Sequence, residues 1–504
     1  VTPAATVSVP GPPEARIAQA LRRAFCFPVM LSTSLVVLAV LSVRCRMSDP
    51  DLWWHLRTGQ IIWTERSIPT ADLLSFTTGQ HPWVPHEWLS QLAIYAAWAA
   101  GNYSGLMLWL CGLTSALLIV QYVSCWLSSS NAKIAFLGAL VTWFFATAGL
   151  AIRPQLLGYL FLACELLILH QGRARGRNWF FLLPPLFALW VNVHGSFFFG
   201  IGVLGVVLLC GFINTTAGLL ASRPLDRAQR RTLLWAAGLS LPALFVNPVG
   251  WPVAAYPLRT MFDRRMPLDA VAEWQNLAFD DIRAFGLLVL AAAILLIALI
   301  RRTVLYLDEI VLLGMTCVMA VLHQRLLFVW GIVAAPTLCR QLSGVWDGYK
   351  PERDRPLLNA VMIAGSLAVV AAAFPSRAAL VSQIEQANPV QAVEFLRDSH
   401  LTGRMLNEYT YGGYLGWTLP EQKVFIDGRA DVFAWTGVLA DYGALVTLRQ
   451  DPAVLLDRYR IDFCLLSRSA PLARVLPYLP GWSEQYSDRQ AIIFVRSGAR
   501  WTRP

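Results

Sequence analysis

Apolar runs of about 17–25 residues recur along this chain, separated by short arginine-rich segments. A run of that length in hydrocarbon must satisfy its backbone N–H and C=O groups within itself, which a helix does. The expected fold class is therefore an α-helical polytopic membrane protein. Composition agrees, since 14% of the residues are charged and 56% are hydrophobic, against about 25% charged in soluble domains. The mean hydropathy is +0.51. A net charge of +10 would also suit nucleic acid. Here the arginines sit in short loops between apolar runs, where they orient helices in a membrane, so no nucleic-acid partner is expected.

Arg22 and Arg23 precede the first run, residues 25–43, and no small-residue cleavage site follows it. This reads as a first transmembrane helix with a cytoplasmic N-terminus. Residues 1–24 are expected to be a disordered cytoplasmic segment, Pro/Ala/Val-rich over 1–15. Further spans follow at about 104–127, 134–152, 155–170, 179–191, 197–220, 233–246 and 284–300. A ninth ends near 322, a tenth covers about 326–342 and an eleventh 357–374. With this count of about eleven transmembrane helices, each arginine-rich short loop falls on one side, as an inner-membrane (plasma-membrane) multi-pass protein requires. The run 88–100 is too short to span and is expected as an interfacial helix. Residues 25–374 then form the transmembrane domain, with a large first outer loop at 44–103. Residues 375–504 form a small extracytoplasmic α/β domain: a helix at 390–397, strands at 423–426, 463–466 and 491–495, and turns at Gly412-Gly413 and Asp427-Gly428. The nine cysteines show no CxxC or Cys/His metal spacing, and most lie in or beside apolar runs as packing residues.

The first outer loop holds Asp49, Asp51, His55, Asp72, His81, His86 and Glu87 among Trp53, Trp54, Trp63, Trp83 and Trp88. Carboxylates and imidazoles beside an aromatic belt suit chemistry at a membrane surface. Each later outer turn also carries polar groups that a plain helical hairpin does not need: Arg153 and Gln155, Asn192 and His194, Asn247 and Glu273, then His323, Gln324 and Arg325. One such residue is most simply a capping or snorkelling group; five sets on one face point to a shared cavity. Asp49 and Asp51, spaced D-x-D, can hold a divalent cation (Mg or Mn), or one of them can deprotonate an acceptor hydroxyl. Pro50 biases Asp49 towards an extended backbone, so the two need not share a face. Arg153, His194 and Arg325 can grip a lipid phosphate, Arg by its bidentate fork. Asp308 and Glu309 read as structural partners of Arg301 or Arg302. In the tail, Asp427, Arg429 and Asp431 read first as an ion-paired turn.

These features together resemble the GT-C superfamily of polytopic glycosyltransferases, which includes protein O-mannosyltransferases, aminoarabinose transferases and oligosaccharyltransferase catalytic subunits. The likeness rests on an acidic residue just after the first helix (Asp49 or Asp51), the short helix after HEW, and Arg153 in an outer turn. The segments DPDLWWHL, HEWL, RPQ, NVHG, NPVGW, EW, HQR and GGYL–IDGRAD resemble, more closely, a largely uncharacterised bacterial group of this superfamily. The resemblance covers most of the chain from about residue 45. It implies a polyprenyl-phosphate-linked sugar donor, an extracytoplasmic active site and inversion at the anomeric carbon. Two departures stand out: Arg153-Pro154-Gln155 has no second carboxylate, and the tail lacks a WWDYG-type signature.

The expected function is transfer of a hexose or pentose from that donor to a protein, lipid or glycan acceptor of the cell envelope, in contact with membrane lipids. Asp51, before Asp49, is the expected catalytic base. His55, His86, Glu87, Arg153, Gln155, Asn192, His194, Glu273, His323 and Arg325 are the expected substrate-binding residues, and Asp49 and Asp51 would hold any cation. The rival readings are a transporter or flippase of lipid-linked glycans and a non-catalytic scaffold of an envelope complex. Transporters tend to place binding groups near the membrane midplane in repeated halves, whereas these residues gather at one face without a repeat.

Overall fold

Why the helices begin and end where they do is visible at their caps. The computed structural model describes residues 13–79, 81–262 and 275–499. Helices α1 (Pro13–Ala24) and α2 (Phe27–Val43) open the chain. The first loop contains α3 (Asp51–Glu65) and leads into α4 (Trp88–Ser129). The backbone of α4 leaves helical geometry at Gly101 and Asn102. The break ends the short first segment at the place expected for an interfacial helix. Next come α5 (Ala132–Ala146), α6 (Gln155–Ala174), a 3₁₀ turn with α7 (Leu183–Trp190), and α8 (Phe197–Cys210). The Asn131 side chain starts α5 by accepting from the N–H groups of Lys133 and Ile134. Asp226 and Gln229 form a reciprocal capping box at α9 (Arg227–Ala243). The bundle continues with α10 (Trp251–Phe262), α11 (Ile282–Arg301), α12 (Leu307–Leu322), α13 (Leu327–Gln341) and α14 (Pro356–Ala373).

A helix occupies each position where a span is expected. By length and composition four of them can cross a membrane among the described residues: α4, α6, α11 and α14. Helices α2, α5 and α8 are shorter and apolar. Several boundaries differ from expectation. Residues 13–24, expected to be disordered, are helical. Helix α5 stops at Ala146 rather than 152, and α8 at Cys210 rather than 220. Beyond α8 the chain forms strands β1 (Thr216–Ala217) and β2 (Leu220–Ala221), and β2 pairs in parallel with β3 (Leu305–Tyr306). Asp308 and Glu309 do not pair with Arg301 or Arg302. Asp308 meets Arg173 and Arg223, and Glu309 meets Arg340 and Arg223. Arg301 instead donates to the carbonyls of Gln341 and Ser343, because β3 turns the start of α12 towards α6 and α13.

The C-terminal region carries α15 (Arg377–Ala387), α16 (Val390–Asp398), β4 (Met405–Asn407), α17 (Tyr409–Thr418), α18 (Ala430–Trp435), α19 (Val438–Val446), α20 (Pro452–Arg458), β5 (Phe463–Ser467), α21 (Pro471–Val475), β6 (Trp482–Ser487) and β7 (Ala491–Arg496). Its sheet runs β4-β5-β7-β6, with β4 parallel to β5 and the remaining pairs antiparallel. The expected strand at 423–426 does not join this sheet. Its backbone meets the first loop instead: Phe76 N–H donates to Val424 O (3.1 Å) and Val424 N–H to Leu74 O (3.1 Å). Gly412 and Gly413 are not at a turn but inside α17, which packs on α3. A Cβ on Gly412 would lie 2.0 Å from the Ile426 carbonyl oxygen, and one on Gly413 2.8 Å from that of Pro50. Trp54, Ile61, Leu74 and Trp83 of the first loop share a core with Phe425, Ile426, Phe433 and Cys464. Loop and tail are therefore packed as one body.

Candidate functional site

The first loop, three inter-helix turns, α10 and the tail bring their polar groups together. Asp51 is the first residue of α3, and just ahead of the helix Asp49 Oδ1 accepts the Asp51 N–H at 2.9 Å. The turn between α5 and α6 delivers Arg153 to both carboxylates. Its Nε lies 2.7 Å from Asp49 Oδ2, and its Nη1 lies 2.9 Å from Asp51 Oδ2. The second oxygen of Asp51 accepts from Trp54 Nε1 at 3.2 Å. Although Pro50 separates them, the two carboxylates converge because a single fork serves both.

Beside this trio stands Glu87, immediately before α4. Its Oε1 lies 3.4 Å from His194 Nε2 and 3.6 Å from His86 Nε2, and its Oε2 lies 3.9 Å from His55 Nδ1. These separations exceed or sit at the long edge of normal hydrogen bonds. The His194 Nδ1 accepts the Ser196 N–H at 3.1 Å, which assigns the ring proton to Nε2, facing Glu87. Burial raises the Glu87 carboxyl to about 8, opposed by Arg325. Burial takes His86 down to about 3 and holds His55 and His194 well below the usual imidazole range, Arg153 reinforcing it at His55 and Arg325 at His194. Burial therefore favours a protonated carboxyl at Glu87 among uncharged imidazoles.

Gln155, the first residue of α6, accepts from Arg325 Nη2 and so ties the second arginine to the same end. His323 caps the end of α12, two residues before Arg325, its N–H donating to Met319 O. Asn192 is not available to a substrate. Its Oδ1 accepts from Trp88 Nε1 (2.8 Å), and its Nδ2 donates to Ala188 O (2.8 Å) and Val246 O (2.8 Å). That engages both amide protons and the carbonyl, so Asn192 fixes the start of α4 against the 191–196 turn. Glu273 lies outside the described residues.

The tail completes the site. The Tyr256 hydroxyl donates to Asp431 Oδ2 at 2.9 Å, and the Tyr256 ring stacks on His86 with centroids 3.6 Å apart. Gly428 approaches so closely that a Cβ there would lie 1.9 Å from Asp51 Oδ1 and 2.8 Å from Trp54 Nε1. Arg429 joins Asp427 and Asp72 in a fully buried ion-paired group, with Trp83 against its guanidinium at 4.8 Å. The Asp427–Arg429 turn is ion-paired as expected, whereas the partner from the first loop, Asp72, had no local sequence signal. Tyr256 had none either, lying in a stretch read only as loop.

A divalent cation does not fit the D-x-D pair as it stands. Three of the four oxygens of Asp49 and Asp51 meet Arg153 or Trp54, and the fourth accepts the Asp51 N–H. The described residues contain no group of three or more His, Cys, Asp or Glu suited to a metal. A guanidinium supplies the positive charge there.

With this geometry in hand, comparison with known proteins gives a fold. No family model and no curated protein matches the chain. Among solved structures it is similar to the Archaeoglobus fulgidus oligosaccharyltransferase tethered with an acceptor peptide containing the NVT sequon. The TM-score is 0.56 at 13% identity, covering 92% of this chain and 74% of that one. The apo form of the same enzyme gives 0.52 at 13% identity, over 93% and 74%. The chain therefore has a fold similar to that of this oligosaccharyltransferase.

Proposed function

We infer that this protein is a membrane glycosyltransferase of the GT-C kind. It moves a sugar from a polyprenyl-phosphate-linked donor to an acceptor hydroxyl on the extracytoplasmic face of a bacterial inner membrane, with about eleven spans and a cytoplasmic N-terminus. The observation that carries the reading is Arg153 braced between Asp49 and Asp51, beside the Glu87–imidazole cluster, in an oligosaccharyltransferase-like fold. Arg153 is partly exposed, its side chain 16% accessible, so an incoming anion can reach it.

In the proposed mechanism the donor phosphate takes part of the Arg153 fork, with Arg325 and His194 as the further groups that receive it. That exchange frees an oxygen of Asp51, which accepts the proton of the acceptor hydroxyl as the oxygen attacks the anomeric carbon. Asp49 keeps hold of Arg153 and of the start of α3. Trp54 and the neighbouring indoles of the first loop offer apolar faces for the sugar and prenyl chain. The acceptor peptide held by the oligosaccharyltransferase neighbour supports an acceptor site in this fold, on that protein's example.

The test is purified protein in lipid nanodiscs, incubated with radiolabelled polyprenyl-phosphate sugars. Wild type should remove label from the lipid, and Asp51→Ala should do so about 10²–10⁴-fold more slowly. A wild type that binds the donor and turns over none of a donor panel sinks the transferase reading in favour of a flippase or scaffold.

A further inference from the structure

Four carboxyl groups gather at the site in different surroundings, Asp431 holding the Tyr256 hydroxyl. Asp49 and Asp51 are held on a guanidinium, as anions need. Among the described residues Glu87 has no guanidinium within ion-pair distance; its near neighbours there are the three imidazoles, from α3, from its own segment and from the turn before α8. None of them closes a short hydrogen bond on it, and its side chain keeps 11% of its surface accessible. Nearby but further off, Arg325 and Arg153 act on it as cations, Asp431 and Asp51 as anions. The Tyr256–Asp431 pair closes the far side of His86. Glu87 is thus a reachable carboxyl whose burial favours the protonated form, within the electrostatic influence of the two arginines assigned to the donor phosphate. A carboxylate there would repel that phosphate, whereas a carboxylic acid can donate to it.

On the reading of the protein as a lipid-phosphate-dependent glycosyltransferase, we propose that Glu87 is the general acid of the transfer, giving its carboxyl proton to the phosphate as it leaves the anomeric carbon. The bond from the acceptor oxygen to C1 forms while the C1–O(phosphate) bond breaks, and that bond's electron pair stays on the phosphate oxygen. The phosphate takes the proton of Glu87, and Asp51 takes the proton of the acceptor hydroxyl. Exchange with water then reprotonates Glu87 and deprotonates Asp51, so the cycle is balanced. Burial favours the neutral acid, and the imidazoles do not compete for its proton, since their surroundings hold them uncharged.

The experiment is the pH dependence of single-turnover transfer in nanodiscs at saturating donor, with donor affinity measured separately. Wild type should lose rate above about pH 8, falling tenfold per pH unit as Glu87 ionises. Glu87→Gln, which mimics the neutral acid in shape, should bind donor as wild type does. Its transfer should be about 10²-fold slower and flat across that range. Glu87→Asp should restore an alkaline limb, and Asp51→Asn should keep that limb while lowering the rate at every pH. An alkaline limb confined to donor affinity, or a Glu87→Gln rate equal to wild type, overturns the assignment to an acid. Should Glu87→Gln bind no donor, the Glu87→Asp profile decides, and absence of its alkaline limb overturns the assignment. A wild type inert at every pH overturns the transferase reading itself.

Discussion

At Glu87 and His86, burial is the largest cause of opposite pH dependences of stability. The Glu87 carboxyl holds its proton to about 8 when folded and releases it near 4.5 when unfolded. Over that window the folded state binds the extra proton, so this contribution weakens as pH rises from 4.5 to 8. His86, at about 3 when folded and 6.5 when unfolded, behaves the other way, and its contribution is lost as pH falls below 6.5. Thermal unfolding in detergent should therefore show Glu87→Gln gaining on wild type between pH 5 and pH 8, by at most a few kcal/mol. Wild type should lose stability below pH 6.5, where His55 and His194 add to the demand. A stability difference between Glu87→Gln and wild type that is the same at both pH values would contradict the buried neutral acid.

Between elements, the decisive contacts are backbone approaches that leave no space for a side chain. Gly428 sits over the start of α3, where a methyl would meet Asp51 Oδ1. Gly428→Ala should push Asp51 off Arg153 and cut transfer by at least tenfold, while the overall fold survives because two side chains, the Asp51 carboxylate and the Trp54 indole, rather than backbone, must give way. Retained activity in that variant would show that the Asp51 position is not critical. Gly59 tells a different story. A Cβ there would lie 2.1 Å from the Gln91 backbone oxygen, between α3 and α4. No flexible side chain can yield, so Gly59→Ala should cost about 1–3 kcal/mol or more of stability, read as a lower melting temperature.

Across the whole molecule, the first loop and the tail are joined through charge buried on both sides. Arg429 from the tail bridges Asp72 from the first loop and its own Asp427, all nearly inaccessible. Removing the arginine strands two carboxylates in an apolar setting. Arg429→Ala should therefore cost about 3–5 kcal/mol and expose the tail to proteolysis. Replacing Asp72 and Asp427 by Asn in that background should recover part of the loss, because the stranded charge is then gone. A tail that stays protease-resistant in Arg429→Ala would show that the apolar contacts alone hold loop and tail together.

The sequence by itself marked where the apolar bundle helices lie, since apolar length is a local property, but not the early ends of α5 and α8 or the presence of α10. It also marked out Asp49, Asp51, Glu87, Arg153 and His194 as an unusual set, because polar groups between apolar runs are costly without partners. It did not determine the state of those groups. Only tertiary contact put Arg153 on both aspartates and left Glu87 among imidazoles, which exchanges the expected cation site for an ion-paired trio. The same holds for segment 423–426, whose strand-like pattern was real but whose partner was the first loop. Asn192 looked like a ligand until the Trp88 indole and two carbonyls filled its bonds. Burial and pairing belong to residues hundreds of positions apart, so a protonation state, unlike a helix, cannot be read from neighbours in the chain.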